Sequence, residues 1–348
     1  MKFLACFGIC LHLALVETPA CTTFFINHDG QRVFGRNYDW ITGNGMVYTN
    51  HRGLYKTSAR TRDGETTSWT SLFGSITFNQ YGKEFPTGGM NEKGLVVELM
   101  WLDDTRYPDP DHRPSLGVLQ WIQYQLDNCS NINEVIATDQ KIRIASRGTT
   151  PIHYLVADAV GGVATIEFLD GKMVVHRDKE LPFPVLTNST YAGSLEQAGL
   201  QKHSSVNRNR VFTDNSINRF ATACRMLTRY GAMHRETAPV DYAFSILDSV
   251  SQGAHTKWSI VYDLVNKKIF FKTRDVRSTR FFPFSAFNLD CRQPARALDM
   301  NRPGQGDISH AFLSYTTERN QELVETSFRE SAGQLNVSDE SIRKTWLY

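Results

Sequence analysis

The sequence has 348 residues, of which 41% are apolar and 21% are charged, as is usual for a soluble globular protein. Lys and Arg total 38 against 36 Asp and Glu, which gives a formal net charge of +2. Binding to nucleic acid needs a basic surface, and this charge balance does not provide one. Nucleic acid is therefore excluded as an expected partner.

The first twenty residues have the pattern of a secretory signal peptide. Lys2 precedes an apolar run that ends at Val16, and small residues follow up to Ala20. This run is shorter than the roughly 20 residues that a membrane-spanning helix needs, and no later run approaches that length. We therefore predict cleavage between Ala20 and Cys21, a periplasmic or secreted location, and no membrane span.

The predicted elements of the mature chain begin with a β-hairpin. Two β-rich runs, CTTFFIN and RVFGRNYDW, flank Asp29-Gly30, which is a strong signal for a two-residue turn. This turn places Thr23 opposite Arg36 and the cysteine at the start of the first run opposite Tyr38. Asp39 would then point to the other face of the sheet, unless a β-bulge at Gly35 turns it toward the cysteine.

Further β-rich runs follow on both sides of three helical patterns. The helices are predicted over 116–126, 217–229 and 240–250, and no linker or internal repeat divides residues 21–348. Two groups of antiparallel strands with helices between them predict an α+β fold, an αββα four-layer sandwich formed by a single domain. The later strands are predicted in the runs SWTSLFGSITF, GLVVELMWL, HYLVADAV, VATIEFLDGKMVVH, PVLTN and WSIVYDLVNKKIFFKTR.

Four cysteines remain after removal of the predicted signal peptide. Their spacing matches no zinc motif, so we expect neither a metal nor a cofactor. Cys224 belongs to an apolar stripe of helical period that includes Phe220, which favours a core position over a disulfide. The remaining three are Cys21, Cys129 and Cys291.

Cys21 has three interpretations. A free cysteine is most often a small buried apolar residue. As the first residue after a cleavage site it could also carry a lipid anchor, although Thr18 stands where such signals usually have an aliphatic residue. In the third interpretation, cleavage exposes an α-amine with a pKa of about 7.7 to 8.0 beside a thiol of about 8.5, so that the amine can accept the thiol proton. Arg36 would favour the thiolate.

Six motifs occur between Cys21 and Thr273, in the order CTTFF, GRNYDW, GGMNEKGL, VLTN, SINRF and HTKWSIVYDLVNKKIFFKT. Together, and in this order, they resemble the choloylglycine hydrolase family, which contains bile salt hydrolases and penicillin V acylases. The resemblance implies an N-terminal nucleophile hydrolase that cleaves a linear, non-peptide amide bond.

The resemblance also implies roles for individual residues. Cys21 matches the nucleophile, Arg36 the arginine beside the thiol, and Asp39 the carboxylate that positions the α-amine. Asn188 matches an oxyanion donor, although it also begins an Asn-Ser-Thr sequon that would carry a glycan in a eukaryotic secreted protein. Arg219 matches an arginine that supports charge near the nucleophile.

This sequence departs from the family pattern at two places. Trp101 stands where an asparagine usually completes the oxyanion hole, and together with Trp40 it would give the pocket two flat aromatic walls. This pair resembles the exported acylase branch, whose members act on penicillin V and long-chain N-acyl homoserine lactones. The interval from Asn188 to Arg219 is shorter than the one that carries an assembly hairpin in bile salt hydrolases, so the homotetramer implied by the family is less firmly expected.

The function predicted from the sequence is hydrolysis of a small-molecule amide through a thioester on Cys21, most similar to a penicillin V acylase. Bile salt hydrolysis is the alternative within the family. A lipid-anchored binding protein without catalysis, or a disulfide-stabilised extracellular domain, are the alternatives from other classes. No chemistry is assigned to the polar segment that follows Cys291.

Overall fold

The fold was analysed in a computed structural model, which describes residues 21–64, 66–200, 215–232, 237–335 and 337–347. The predicted signal peptide lies outside the described residues. The strands are β1 Thr22–His28, β2 Gln31–Asp39, β3 Met46–Asn50, β4 Tyr55–Thr57, β5 Ser68–Thr70, β6 Ser75–Asn79, β7 Pro86–Asn91, β8 Val96–Trp101, β9 Ser115–Leu116, β10 Arg143–Ile144, β11 Ile152–Ala157, β12 Val163–Leu169, β13 Lys172–Arg177, β14 Val185–Leu186, β15 Thr256–Asp263, β16 Lys268–Thr273, β17 Arg280–Pro283, β18 Arg296–Asp299, β19 Gly306–Asp307 and β20 Leu313–Ser314. The helices are α1 Val118–Asn128, α2 Ile132–Ala137, α3 Tyr191–Gln197, α4 Asn215–Ala232, α5 Pro239–Ser249, α6 Thr317–Glu330 and α7 Asp339–Trp346.

Two large sheets form the body of the molecule. One has seven strands in the order β14-β1-β2-β15-β16-β17-β19, and the other has nine in the order β13-β12-β11-β8-β7-β6-β3-β18-β20. Helices α4 and α5 pack on the seven-stranded sheet, whereas α1 packs on β7 and β8 of the nine-stranded sheet. The predicted αββα sandwich is confirmed.

Aromatic side chains fill the space between the two sheets. Phe78 of the nine-stranded sheet meets Tyr262 and Phe271 of the other sheet edge to face, with ring centroids 6.1 and 6.0 Å apart. All three side chains are fully buried, and burial of large rings supplies much of the stabilisation of such a core. The two sheets are thereby fixed face to face, and this fixes the position of the strand ends that carry the site.

The first hairpin has the predicted register. Thr23 pairs with Arg36 and Ile26 with Val33, around a turn in which Asp29 and Gly30 have φ of 50° and 78°. Positive φ at both central residues defines the turn type that matches the twist of a hairpin, and glycine adopts it without strain. The start of β1 therefore lies beside the end of β2.

Strand β2 has no bulge at Gly35, the position where the sequence would tolerate one. Gly35 pairs with Phe24 in regular register, and a side chain there would collide with the Phe24 ring, so close packing explains the glycine. The irregularity lies on the neighbouring strand β15, where Thr256 pairs with Asp39 and Trp258 pairs with Tyr38. Strand β15 lies on the other side of β2 from β1, so its extra residue lies beside the end of β2.

The three predicted helices correspond to α1, α4 and α5, with ends shifted by one to three residues. Cys224 lies on the buried face of α4 and is fully buried, as its apolar spacing predicts. No helix in the described ranges combines the length and hydropathy that a membrane crossing needs.

Candidate active site

The thiol of Cys21 lines an apolar pocket at the ends of β1 and β2. The pocket has a volume of about 220 Å³. Cys21 itself is 5% exposed, and its Sγ donates to the carbonyl oxygen of Asp39 at 3.8 Å. The lining residues are Cys21, Tyr38, Asp39, Trp40, Tyr81, Phe85, Thr87, Leu99, Trp101, Val118, Leu119, Thr150, Ile152, Phe328, Leu335, Val337 and Thr345.

Two guanidinium groups affect the pKa of the Cys21 thiol. Burial raises the pKa of the Cys21 thiol above its usual value, and the positive charges of Arg36 and Arg219 oppose this effect. The Asp39 carboxylate acts in the same direction as burial. Because burial raises the pKa of the thiol, a thiolate near neutral pH requires a nearby base that accepts the proton or a nearby positive charge that stabilises the thiolate.

Arg219 connects the nucleophile strand to α4. Its Nη1 donates to the Cys21 carbonyl oxygen at 2.5 Å and to Thr22 Oγ1 at 2.6 Å, while Nη2 donates to Asn188 Oδ1 at 3.1 Å. A further bond from Nε to Asn215 Oδ1 at 2.7 Å holds the guanidinium within its own helix. With 6% of its surface exposed, Arg219 is a buried tether and not a surface helix residue.

Asn188 lies within the same network. Its Nδ2 donates to the Trp101 carbonyl oxygen at 2.8 Å, and its backbone N–H donates to Ser216 Oγ at 3.0 Å. An amide nitrogen carries two N–H bonds, so the bond to Trp101 uses one of the two N–H groups of Asn188. A glycan on Nδ2 would disrupt the contact with Trp101, which makes the sequon reading incompatible with this arrangement.

The Asp39 carboxylate is fixed by two neighbours that sequence reasoning missed. Thr256 Oγ1 donates to Oδ1 at 2.5 Å and Gln252 Nε2 donates to Oδ2 at 3.0 Å. Burial raises the pKa of Asp39, and Arg219 and these hydrogen bonds lower it. Both partners come from β15 and the loop before it, and no local motif links them to β2.

The two predicted pocket tryptophans lie side by side. Trp40 and Trp101 stack with ring centroids 6.2 Å apart and an interplanar angle of 29°. The indole N–H of Trp101 donates to Asp103 Oδ1 at 2.6 Å, so this donor already has an acceptor within the chain. The Trp101 ring forms a wall of the pocket, and its N–H does not replace the amide that family members usually have there.

Arg36 is fully buried, and its strongest partner is a residue that the sequence analysis did not identify. Its Nη1 pairs with Glu98 Oε2 and donates to the Thr87 carbonyl oxygen at 2.9 Å. Tyr262 also donates to Glu98, through Oη. Burial raises the pKa of Glu98 to about 7, against the opposing charge of Arg36. The sequence signal for Glu98 is that its carboxylate stands within the apolar run VVELM, which is typical of a buried charge with a partner.

Among the described residues, no group of three or more His, Cys, Asp or Glu side chains is placed to hold a metal ion. The four cysteines of this part of the chain are free thiols, and three of them are buried. The thiol of Cys21 and the carboxylate of Asp39 line the pocket, and Arg36, Asn188 and Arg219 lie behind its lining in contact with pocket residues.

Comparison of the fold with solved structures identifies its class. The penicillin V acylase from Agrobacterium tumefaciens superimposes with a TM-score of 0.72 at 23% identity, over 85% of this chain and 98% of that one. A variant of the conjugated bile acid hydrolase from Clostridium perfringens gives 0.66 at 17% identity, over 83% and 98%. The αββα fold of this chain is therefore the one that these two hydrolases share.

The sequence comparison then identifies the family. A model of the linear amide C–N hydrolases, choloylglycine hydrolase family, matches residues 21–228, and the chain belongs to this family. A penicillin V acylase from Pectobacterium atrosepticum is 28% identical over 59% of this chain. The match spans 64% of the length of that curated relative.

Proposed function

We propose that this protein hydrolyses linear amides through the thiol of Cys21 after hydrolysis of the Ala20–Cys21 bond. The observation that carries the proposal is the position of Cys21, whose thiol faces an apolar pocket while its carbonyl oxygen is held by Arg219. Removal of residues 1–20 converts the backbone nitrogen of Cys21 from an amide, which cannot accept a proton, into an amine that can.

The reaction begins with proton transfer from the thiol to the α-amine. The thiolate attacks the acyl carbonyl carbon, and the resulting oxyanion receives a hydrogen bond from the second N–H of Asn188. Collapse breaks the C–N bond, the ammonium gives its proton to the leaving amine, and a thioester remains on Cys21. Water, deprotonated by the α-amine, then attacks the thioester and releases the carboxylic acid and the thiol.

Asp39 has a positioning role in this scheme. An α-ammonium at Cys21 would be attracted to the Asp39 carboxylate, which accepts hydrogen bonds from Thr256 and Gln252. Because these two bonds fix both carboxylate oxygens, the amine is oriented toward the thiol in the processed chain. Arg36 supports the thiolate from within the sheet.

The walls of the pocket favour an acyl group that is apolar and flat. Trp40 and Trp101 present stacked indole faces, and Leu99, Phe328 and Val337 complete an apolar lining. A cavity of about 220 Å³ is smaller than the roughly 300–1,000 Å³ of most drug-sized ligand sites, which argues against a rigid sterol. Phenoxyacetyl, the acyl group of penicillin V, is the proposed substrate moiety, and the relative from P. atrosepticum is named for that substrate. The acyl chain of an N-acyl homoserine lactone is the second candidate, because it too is linear and apolar.

The test compares the hydrolysis of acyl amides by the processed protein with hydrolysis by its Cys21→Ala and Cys21→Ser variants. Release of 6-aminopenicillanic acid, homoserine lactone, or glycine and taurine would be measured from penicillin V, N-acyl homoserine lactones and conjugated bile salts. We expect turnover of penicillin V by wild type and a loss of at least about a thousandfold in Cys21→Ala. Undiminished turnover in Cys21→Ala would contradict the mechanism.

We also propose that residues 1–20 direct export to the periplasm or the medium and that their removal activates the enzyme. Intact-mass measurement of the mature chain tests this, because an unmodified Cys21 at the new N-terminus differs in mass from a lipid-anchored one. A diacylglyceryl adduct would favour the anchored binding protein. A homotetramer is proposed from the family alone, and light scattering of the purified enzyme would measure it.

A further inference from the structure

The far wall of the pocket is formed by the end of the chain. Residues 317–347, called here the C-terminal segment, contain α6 and α7 and contribute Phe328, Leu335, Val337 and Thr345 to the pocket lining. These four side chains lie well beyond residues 21–228, the region that the family model matches. The wall is therefore separate in sequence from the nucleophile and its supporting residues.

The C-terminal segment is anchored by an apolar cluster of its own. Tyr81, Val324 and Phe328 form its buried centre, and the Tyr81 and Phe328 rings lie 4.8 Å apart. Side chains of α7 pack against this cluster, and Asn320 Nδ2 of α6 donates to the Trp346 carbonyl oxygen at 3.2 Å. These contacts fix α6 and α7 relative to each other and to the pocket.

Hydrogen bonds also connect the C-terminal segment to a tryptophan of the pocket. Trp40 Nε1 donates to Tyr81 Oη at 2.6 Å and faces Ser331 Oγ at 3.3 Å. The Tyr81 and Ser331 hydroxyl oxygens are themselves 2.9 Å apart, and both residues are buried. The angle of the Trp40 ring, and with it one face of the pocket, thus depends on the C-terminal segment.

We propose that the C-terminal segment determines the length of acyl group that the enzyme accepts, with Leu335 and Val337 as the side chains that limit it. The inference rests on the proposed function, because it assumes that the acyl group occupies this pocket. Both side chains are partly buried and line the cavity without polar partners of their own. Each methylene group that gains burial strengthens binding about fourfold, so small changes of this wall give measurable changes of preference.

The experiment compares the double variant Leu335→Ala/Val337→Ala with Leu335→Trp, each in the full chain. Binding of decanoic acid and of phenoxyacetic acid would be measured by calorimetry in a Cys21→Ala background, and hydrolysis of decanoyl homoserine lactone and penicillin V in the Cys21 enzyme. Shortening both side chains should raise the preference for decanoyl over phenoxyacetyl by at least about fivefold. Leu335→Trp should shift it in the opposite direction.

Leu347→Ala is the matched control, because Leu347 belongs to the same segment but is 67% exposed and does not line the pocket. An unchanged preference in both test variants, or an equal change in Leu347→Ala, would overturn the inference, as would failure of both acids to bind the wild-type pocket. If both acids bind with the expected shifts but no amide is hydrolysed, the proposed function fails and the role of the wall stands. Melting temperatures would confirm that each variant is folded.

Discussion

Arg219 and Asn188 are joined by a hydrogen bond of 3.1 Å from Nη2 to Oδ1, while the same guanidinium holds the carbonyl oxygen of Cys21. The proposed nucleophile and the proposed oxyanion donor are therefore fixed relative to each other by one side chain. Because Arg219 donates to the Oδ1 atom, the amide is oriented with its Nδ2 toward the carbonyl oxygen of Trp101, a residue that lines the pocket.

Replacement of Arg219 by Lys should disrupt this link. A single ammonium on a flexible stem cannot donate to the four acceptors that the planar guanidinium reaches. We expect kcat for penicillin V to fall about 10- to 100-fold with a smaller change in KM, since a lost hydrogen bond to a charged donor costs about 1.5–3 kcal/mol. Steady-state kinetics with Arg225→Lys on the same helix as control measure the effect. Equal losses of kcat in Arg219→Lys and Arg225→Lys would contradict the proposed role of Arg219 in holding Cys21 and Asn188 together.

Asn188→Ala should remove the proposed oxyanion donor. Loss of one such donor typically lowers kcat by about 10² to 10³ while substrate binding changes little. The control is Asn128→Ala, which deletes a comparable amide bond to the Tyr124 carbonyl oxygen at the far end of α1. A reduction confined to KM would show that Asn188 binds substrate without stabilising the transition state.

The protonation of Glu98 should make stability depend on pH. Its pKa is raised from the usual 4.5 to about 7 in the folded state, so the folded chain binds this proton more tightly than the unfolded chain. The stability that the proton provides is present below about pH 4.5 and is lost as pH rises to about 7. Relative to Glu98→Gln, the free energy of unfolding of wild type should fall by about 1–3 kcal/mol between pH 4.5 and pH 8.

Urea unfolding of both proteins across this pH range measures the difference. Glu92→Gln is the control, because Glu92 pairs with Arg52 at the surface, where both side chains are partly exposed. If wild type instead gains stability over Glu98→Gln as pH rises, the Arg36–Glu98 ion pair outweighs its burial cost and the expected sign is wrong.

His153 should be essential for the position of the strand end that precedes Asn188. Its Nδ1 faces Glu167 Oε1 at 3.1 Å and its Nε2 faces the Thr187 carbonyl oxygen at 2.8 Å, so both ring nitrogens meet acceptors. Removal of the ring leaves a cavity in the core, and it leaves Glu167 Oε1 and the Thr187 carbonyl oxygen without this partner. His153→Ala should cost about 3–5 kcal/mol in chemical denaturation, whereas His112→Ala at the surface should cost little. A cost under 1 kcal/mol would contradict this role of His153.

The hairpin of β1 and β2 could be predicted residue by residue, because a two-residue turn sets the register of every pair that follows it. Helix α4 was likewise evident, since its apolar stripe repeats at helical spacing. In both cases a local signal determines the structure. The αββα arrangement followed from the order of such elements.

The bulge opposite Asp39 and the partners of its carboxylate could not be predicted. Both depend on Gln252 and Thr256, which lie more than two hundred residues from Asp39 and reach it only through the pairing of β15 with β2. The C-terminal wall of the pocket escaped prediction for the same reason. Its polar sequence carries few apolar side chains, and their burial depends on contacts with Tyr81 and Trp40.

Gly88 and Glu98 lie directly opposite each other on β7 and β8, and a side chain at position 88 would occupy the space that the Glu98 carboxylate fills. The space between the strands holds the Glu98 side chain or a side chain at position 88, but not both. Any residue larger than glycine at 88 should therefore be tolerated only together with a smaller residue at 98. Glu98→Gln, which keeps the volume of the side chain, should be compatible with Gly88.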